Sequence, residues 1–416
     1  MKKVYYELKK TANPVFILAF VAVLLIFNCI NIFKTYAPRP GAPDDKNILR
    51  GVVGIYGLLE GELTQEKYDN FYNKYEEAAK AVDEGNLNST PDFDKYFSGY
   101  AFADYYTYTD TANELERQLS YNASMNELIE ETAKNAEMFK DVNEYNYKQN
   151  MLIIEKYGER YINSFYYTPP IINLFTYSFS SVLILLCLMF LIVPMFSGER
   201  ENDMLSILKS TRRGYLRRGI CLEKIGTLAF YVFILVVLFG LSDIICLKLS
   251  LHFSGMLQPL YVIEEFQNTP VTISIISFWL VTLLLKWLGF VCIGLVLLLI
   301  SKFTSNTFIG YILSLLVIAG FMILRVVGTS GALETLNLFN PVSLLISYKK
   351  FFYYETFRLG NTPVLKIWIQ IIGGIVFTVA LGSTVYFTPL KTEFKKKGVK
   401  ASEIILSGTK KALHKT

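Results

Sequence analysis

The chain has few of the residues that most catalytic and metal sites require. Its 416 residues include only two histidines, His252 and His414, which lie far apart in the sequence. This scarcity argues against a histidine metal site and against a His-based catalytic triad. The chain also lacks the G-x-x-x-x-G-K-[ST] phosphate loop and the H-E-x-x-H motif. We therefore expect no enzyme activity of its own, no ATP hydrolysis and no directly bound cofactor or metal.

Cysteine is also scarce, and its placement excludes one kind of domain. All five cysteines lie in or beside apolar runs: Cys29, Cys187, Cys221, Cys246 and Cys292. None lies in the acidic block between residues 35 and 168, so no disulfide framework stabilises that block.

Long apolar runs are what the chain does have. Half of its residues are hydrophobic, and several runs are long enough to cross a bilayer core of about 30 Å. We predict an all-α polytopic membrane protein with six transmembrane helices. The predicted spans are Pro14–Phe33, Ile171–Phe196, Ile225–Leu247, Val271–Lys302, Asn306–Val327 and Pro363–Phe387. The first run could be a signal peptide, but its length and the lack of a clean cleavage site favour a retained span. The fourth is interpreted as one long helix rather than two short ones.

The charges are distributed very unevenly along the chain. Residues 35–168 hold 24 acidic and 13 basic residues, whereas the whole chain carries a net charge of +5. Basic residues flank the first span and fill the loop after the second span and the tail at 391–416. Basic loops stay on the cytoplasmic side, so we expect a multi-pass protein of the plasma membrane with both termini in the cytoplasm. The basic residues follow the membrane spans, so we expect contacts with membrane lipid and none with nucleic acid.

The acidic block is predicted to be an extracytoplasmic, mainly helical domain inserted between spans 1 and 2. Apolar periodicity predicts a helix from Thr64 to Val82, and further helices over Thr111–Phe139, with a break near residues 122–124, and over Asn143–Tyr167. Seventeen of the 28 tyrosines fall in this block. They could form a binding face or simply the core of a small domain. The chain thus divides into residues 1–34, the domain 35–168, the membrane domain 169–390 and the tail 391–416.

Two ionisable residues lie inside the predicted spans. Asp243 is near the end of the third span, where it could reach water by snorkelling. Lys286 lies in the middle of the fourth, facing a partner, a water-filled cavity or the membrane surface. An ionisable residue at membrane depth marks a candidate translocation path.

The loop at residues 197–224 is the most charged segment beside the spans. From Gly198 to Lys224 it holds seven basic and four acidic residues, and Met204, Leu205 and Leu208 recur at helical spacing. Such a short amphipathic helix could dock into a groove on a partner or lie on anionic lipid.

This loop resembles the first cytoplasmic loop of ABC type-2 exporter permeases. Members often read E-x-E-x-G-T-L-x-x-L-L-S-T-x-R-G-R-x-x-L-x-x-x-K there, where this chain reads E-R-E-N-D-M-L-S-I-L-K-S-T-R-R-G-Y-L-R-R-G-I-C-L-E-K. Asp203 and Met204 replace the usual Gly-Thr pair, and Tyr215 replaces an arginine. The matching positions are Glu199, Glu201, Leu205, Leu208, Ser210, Thr211, Arg213, Gly214 and Lys224.

The resemblance implies a permease half of an ATP-driven ABC exporter. The loop would carry a coupling helix that docks on a separate cytoplasmic ABC ATPase, the source of ATP-driven motion. A second permease half, either the same chain or a related one, would complete the path. The expected ATPase-coupling contacts are Glu199, Glu201, Leu205, Leu208, Arg213 and Gly214. The alternative is a membrane sensor or scaffold whose outer domain binds a ligand and signals through the same loop.

Overall fold

The structure, a computed structural model, describes most of the chain. The described residues are 14–39, 43–85, 97–202, 204, 217–328, 333, 336–337 and 339–388. Leu205, Leu208, Arg213, Gly214 and the basic tail therefore lie outside the described residues.

The first apolar run forms helix α1, Pro14–Tyr36. Four helices of an inserted domain follow it: α2 Pro43–Gly57, α3 Gln65–Asp83, α4 Ala101–Phe139 and α5 Glu144–Tyr157. The domain also contains a two-residue antiparallel pair, β1 Gly61–Glu62 with β2 Ser164–Phe165.

The helices of the inserted domain agree in part with the sequence prediction. The helix predicted from Thr64 is confirmed as α3, and the Thr64 side chain caps it by accepting from the backbone N–H of Lys67. Helix α4 begins ten residues before the predicted start and continues through residues 122–124, so the predicted break is wrong. The predicted last helix, which begins after the cap Asn143, ends at Tyr157 rather than Tyr167 because the chain turns into β2.

The second span is a broken helix. It consists of the 3₁₀ turn Pro169–Ile171 followed by helices α6 Ile172–Thr176, α7 Phe179–Ile192 and α8 Pro194–Glu201. Tyr177 has extended backbone torsions, with ψ 116°, which separates α6 from α7.

Each of the remaining spans is a single continuous helix. They are α9 Arg217–Leu251, α10 Ile275–Phe303, α11 Thr307–Val327 and the last helix, Lys366–Phe387. Between α11 and the last helix lie α12 Pro341–Leu345, a 3₁₀ turn Ser347–Phe351 and the hairpin β3 Thr356–Leu359 with β4 Thr362–Leu365, so the last helix is α13. The six predicted spans are confirmed among the described residues, the fourth as one helix. Span 6 begins at Lys366, not Pro363, because Pro363 lies in β4.

The spans have two distinct ends. The domain end, where α1 and α9 finish and α10 begins, packs against the inserted domain. The loop end is the opposite end, where α8 finishes and α9 begins.

One hydrophobic core joins the inserted domain to the domain end of the spans. Ile55, Phe71 and Leu115 of the domain belong to the same buried cluster as Phe175 and Phe278 of the spans. Polar contacts reinforce the junction, since Arg117 donates to the carbonyl of Val262 and Arg160 to that of Thr269, both in the connection between α9 and α10.

Most tyrosines of the domain that the structure describes as buried serve in this packing. Tyr121 stacks on Tyr261 with ring centroids 5.4 Å apart, and the Tyr157 hydroxyl donates to the carbonyl of Asn268 at 2.7 Å. Burial raises the pKa of Tyr157 and of Tyr167 to about 12, so both are protonated at neutral pH. The structure therefore favours a packing role in the hydrophobic core for these tyrosines over a binding face.

The segment before the last span folds back between the helices. Pro341, Leu344 and Leu345 of α12 are buried. A Cβ added to Gly289, at the middle of α10, would lie 2.9 Å from the Pro341 carbonyl oxygen and 2.9 Å from a Leu345 methyl carbon. The absence of a side chain at Gly289 thus allows α12 to reach the middle of the fourth span, so that the stretch at residues 340–345 is a re-entrant segment shielded by protein.

Candidate functional site

A buried ion pair closes the base of the loop. Lys224 Nζ lies 2.9 Å from Glu199 Oε1, and the side chains are only 1% and 8% exposed. The lysine also donates to the carbonyl of Met195 at 2.5 Å and lies over the Phe196 ring, 4.7 Å from its centroid. Glu199 is in α8 and Lys224 is in α9, so the pair joins the last turn of span 2 to the first turns of span 3.

The next two residues of α8 reach the junction of spans 4 and 5. Arg200 donates to the carbonyls of Thr304 and Lys302, each at 2.7 Å. Glu201 accepts from the backbone N–H of Thr307 at 2.9 Å and from its hydroxyl at 2.7 Å. A carboxylate is favourable at this point because Thr307 opens α11, where the helix dipole presents positive charge. Glu201 is exposed.

Lys302 extends the same network to span 6. Its ammonium donates to the carbonyl of Val385 at 2.5 Å and to the carbonyl and hydroxyl of Thr388 at 2.7 and 3.0 Å. The Ser301 hydroxyl donates to the Val193 carbonyl at 2.5 Å. Spans 2 to 6 therefore meet in one polar network at the base of the loop.

The structure brings together only part of the predicted coupling set. Glu199 and Glu201 lie side by side in α8, where both have partners within the chain. Leu205, Leu208, Arg213 and Gly214 fall outside the described residues, so their part in coupling stays a prediction. Lys224 matched the family motif but was not predicted as a site residue. One pattern could have identified the pair. A glutamate ends one apolar run, and a lysine immediately precedes the next run.

A second polar cluster lies inside the spans. Asp243 is 4% exposed and accepts from the Asn28 amide at 2.7 Å. The Tyr177 hydroxyl, at the break in span 2, donates to the Asn28 carbonyl oxygen at 2.9 Å, and Ser180 of α7 lies beside Asp243. Asp243 lies eight residues before the end of α9, or about 12 Å along the helix.

These contacts correct the expectation that Asp243 reaches water by snorkelling. Its carboxylate is instead buried among the spans, where the Asn28 amide donates to it. The cluster could not be predicted from the sequence, because Asn28 and Tyr177 lie in apolar runs far from Asp243 along the chain. Only the fold places them beside it.

Lys286 lies beside this cluster. It is partly buried near the middle of α10 and attracts Asp243 electrostatically. Charged groups of opposite sign at membrane depth are stable when they lie together. The two side chains form no ion pair among the described residues, and the role of Lys286 in a translocation path stays a prediction.

The charged side chains of this arrangement join helices to one another. No group of three or more His, Cys, Asp or Glu residues able to hold a metal occurs in the described ranges. Instead, buried charges connect helices at two depths, at the loop end and at mid-span.

Comparison with known proteins identifies the family of the chain. The model of a family described as ABC-2 family transporter proteins matches residues 14–385, which include all six spans and the inserted domain. Comparisons with curated proteins and with solved structures gave no match. The chain therefore belongs to the ABC-2 transporter permease family and is a multi-pass membrane subunit of a transporter.

Proposed function

We propose that the chain is a permease half of an ATP-driven exporter and that the loop at residues 197–224 couples it to a separate cytoplasmic ABC ATPase. Two permease halves, identical or related, would enclose the translocation path. The protein would lie in the plasma membrane with the inserted domain outside and both termini inside, as the distribution of basic residues favours.

The observation that carries this proposal is the convergence of five spans at the base of the loop. The Glu199–Lys224 pair fixes span 2 to span 3, and Arg200 fixes span 2 to the junction of spans 4 and 5. A force applied to the loop by a partner would therefore act on both spans that flank it and on their neighbours together. A loop that only lay on lipid would not need this rigid base.

Within this proposal, Glu199 and Glu201 act chiefly by holding the base. Glu199 is enclosed by its own chain, and Glu201 is committed to the N-terminus of α11. The direct contacts with the ATPase would then come mainly from the following turns, with Leu205 and Leu208 as the apolar anchors of a helix that enters a groove.

Affinity purification of the full chain from its native membrane in mild detergent tests the proposal. We expect a P-loop ATPase to co-elute in stoichiometric amount, identified by mass spectrometry. The variant Glu199→Lys/Glu201→Lys should reach the membrane but lose the ATPase or its transport-coupled turnover. The matched control is Glu130→Lys/Glu131→Lys, which makes the same charge change at two exposed positions of α4 and should retain both. Absence of an ATPase from the wild-type sample, under conditions that preserve known complexes, would contradict the proposal.

The alternative, a sensor or scaffold, has one structural observation in its favour. A cavity of about 410 Å³ lies between the inserted domain and the connection of spans 3 and 4, with Tyr56, Arg117 and Glu264 among its lining residues. A ligand there would touch both parts. A bound ATPase that turns over without net substrate movement in sealed vesicles would favour this alternative over export.

A further inference from the structure

A second cavity opens at the domain end, between the end of α11 and the segment that follows α12. Its volume is about 220 Å³. Its lining includes three cations, namely Arg325 near the end of α11 and Lys349 and Lys350 of the 3₁₀ turn, together with Asn337, Ser343 and Tyr353.

No carboxylate among the described residues pairs with the cations of this cavity. Glu355, the one carboxylate in the lining, lies 3.3 Å from Lys366. Among the described residues, Arg325, Lys349 and Lys350 form no ion pair, and Arg325 makes only a long 3.5 Å hydrogen bond to the Val342 carbonyl. The cavity therefore presents a net positive charge with donors converging from two elements. A guanidinium beside ammonium groups is the donor set that recognises phosphate.

The end of α11 that carries Arg325 also presents exposed apolar side chains. Residues at the same end of α11 are strongly exposed apolar side chains: Ile323 is 63% exposed, Val326 76% and Val327 56%. Apolar side chains exposed along a spanning helix lie against lipid acyl chains. A ligand whose anionic group enters the cavity would thus have its apolar part beside α11.

We propose that this cavity binds the phosphate of an anionic phospholipid from the leaflet at the domain end, with the acyl chains along α11. Lys349 and Lys350 attract the negatively charged headgroup, and the Arg325 guanidinium binds its phosphate oxygens. A zwitterionic lipid would bind less well because its own cationic group competes for the phosphate charge.

The site is built on the re-entrant segment. Asn337 donates to the carbonyl of Gly328 at 3.0 Å, and Asn340 donates to the carbonyl of Phe321 at 2.8 Å while capping α12 by accepting from Val342 N–H. The cavity wall is therefore fixed to α11 on one side and to α12, which packs on spans 4 and 6, on the other. A bound headgroup would hold these elements together. The choice of leaflet rests on the proposed function, which orients the chain in the membrane. Lipid binding itself does not depend on an ATPase partner.

The test is native mass spectrometry of the purified full-length chain in detergent micelles, titrated with phosphatidylglycerol or phosphatidylcholine. The wild type should bind one phosphatidylglycerol more tightly than phosphatidylcholine. The variant Lys349→Gln/Lys350→Gln should lose this preference, with affinity lower by about 25-fold, since a lysine near an anionic lipid surface contributes about fivefold. Both lysines are exposed, so the variant should fold, as its thermal transition would verify.

The matched control is Lys34→Gln/Lys248→Gln. These are exposed lysines in the last turns of α1 and α9 at the same end of the spans, and neither lines the cavity. Retained phosphatidylglycerol binding in this control, with competition by glycerol 3-phosphate, would support the site. Equal losses in the two variants would overturn it, because binding would then follow overall charge. Tight binding of glycerol 3-phosphate without any phosphatidylglycerol binding would overturn the lipid source in favour of a soluble phosphate.

Discussion

Charged side chains have opposite environments at the two ends of the membrane spans. At the loop end, Glu199, Lys224 and Lys302 are almost completely buried, and each is bound by groups of the same chain. At the domain end, Lys349 and Lys350 are exposed beside a cavity and have no carboxylate partner in the part of the chain that the structure describes. Burying a charge is costly unless it is paired, so the paired charges belong to the architecture. Charges without an internal partner remain available to an external anion.

The difference shows how charge can be interpreted in a membrane protein of this kind. At the loop end, opposite charges lie on different helices and hold them together. At the domain end, like charges lie on neighbouring elements and would repel one another in the absence of a ligand. Substitutions that change the charges or the packing at one of these places should therefore have different effects.

The largest effect is expected from breaking the buried pair at the loop end. Glu199→Lys would place a second ammonium against Lys224 in a site of low dielectric. Loss of a partner from a buried ion pair costs about 3–5 kcal/mol, so the variant should show a strongly lowered thermal transition in detergent.

The charge-swapped variant Glu199→Lys/Lys224→Glu separates two roles of Glu199. If the pair braces the base of the loop, the swap should recover much of the stability and the ATPase association. If Glu199 is needed as a direct contact with the ATPase, stability would recover without association. A wild-type transition in Glu199→Lys alone would contradict the structural role of the pair.

The domain end can be altered through packing without changing charge. Gly289→Val would force α12 away from the middle of α10, because the added carbons meet the Pro341 carbonyl and Leu345. Overpacking typically costs about 1–3 kcal/mol, and we expect lower thermal stability together with weaker phosphatidylglycerol binding. Gly320→Val in α11 is the control, since a Cβ there meets nothing within 4 Å. Equal destabilisation by the two variants would argue against the close approach of α12.

The mid-span cluster provides an intermediate case between the two ends. Asp243→Asn keeps an acceptor for the Asn28 amide but removes the charge opposite Lys286. Hydrogen bonds to charged groups contribute about 1.5–3 kcal/mol, and we expect a loss near the lower bound. Adding Lys286→Met should restore part of this loss in a double-mutant cycle of thermal stability. Strict additivity of the two substitutions would show that the residues do not interact.

The smallest effect concerns a buried acid that has hydrogen bonds but no cation. Asp104 in the inserted domain is 1% exposed and accepts from the Ser98 backbone N–H at 3.2 Å. Burial raises the pKa of Asp104 above its ordinary value of 3.8. The folded protein then binds this proton more tightly than the unfolded chain, so the Asp104 contribution to stability rises as pH falls through the raised pKa and levels off below 3.8.

Asp104→Asn should remove this dependence. Its stability advantage over the wild type should be greatest near neutral pH and should shrink on acidification, as thermal unfolding between pH 4 and pH 7 would show. Asp110→Asn, at an exposed position of the same helix, is the control. A stability difference between Asp104→Asn and the wild type that stayed constant with pH would contradict the expected shift.

The sequence predicts features that depend on one segment at a time. Apolar run length was sufficient to predict the six spans, and apolar periodicity was sufficient to predict the helix that follows Thr64. The β3–β4 hairpin before the last span was missed, although Gly360-Asn361 between two short alternating stretches is typical of a tight hairpin turn. Gly360 has φ +62° there.

Features that join distant segments could not be predicted in the same way. Asn28 and Asp243 are 215 positions apart, and no local pattern relates an asparagine in span 1 to an aspartate in span 3. The same holds for Glu199 and Lys224, whose separation by a charged loop suggested surface positions rather than a buried pair. Apolar periodicity also could not show that α4 continues through residues 122–124, because contacts with Ile162 satisfy the Asn122 side chain.

The shared core at the domain end has a consequence for modularity. Because the aromatic rings of Phe175, Phe266 and Phe278 pack in one cluster with the inserted domain, the domain is not a detachable unit. Excising residues 43–168 would uncover these rings at the membrane surface, and expressing the segment alone would uncover their partners. A deletion that abolished transport would therefore report lost folding as readily as lost recognition. The domain and the spans are better understood as one body that folds and unfolds together.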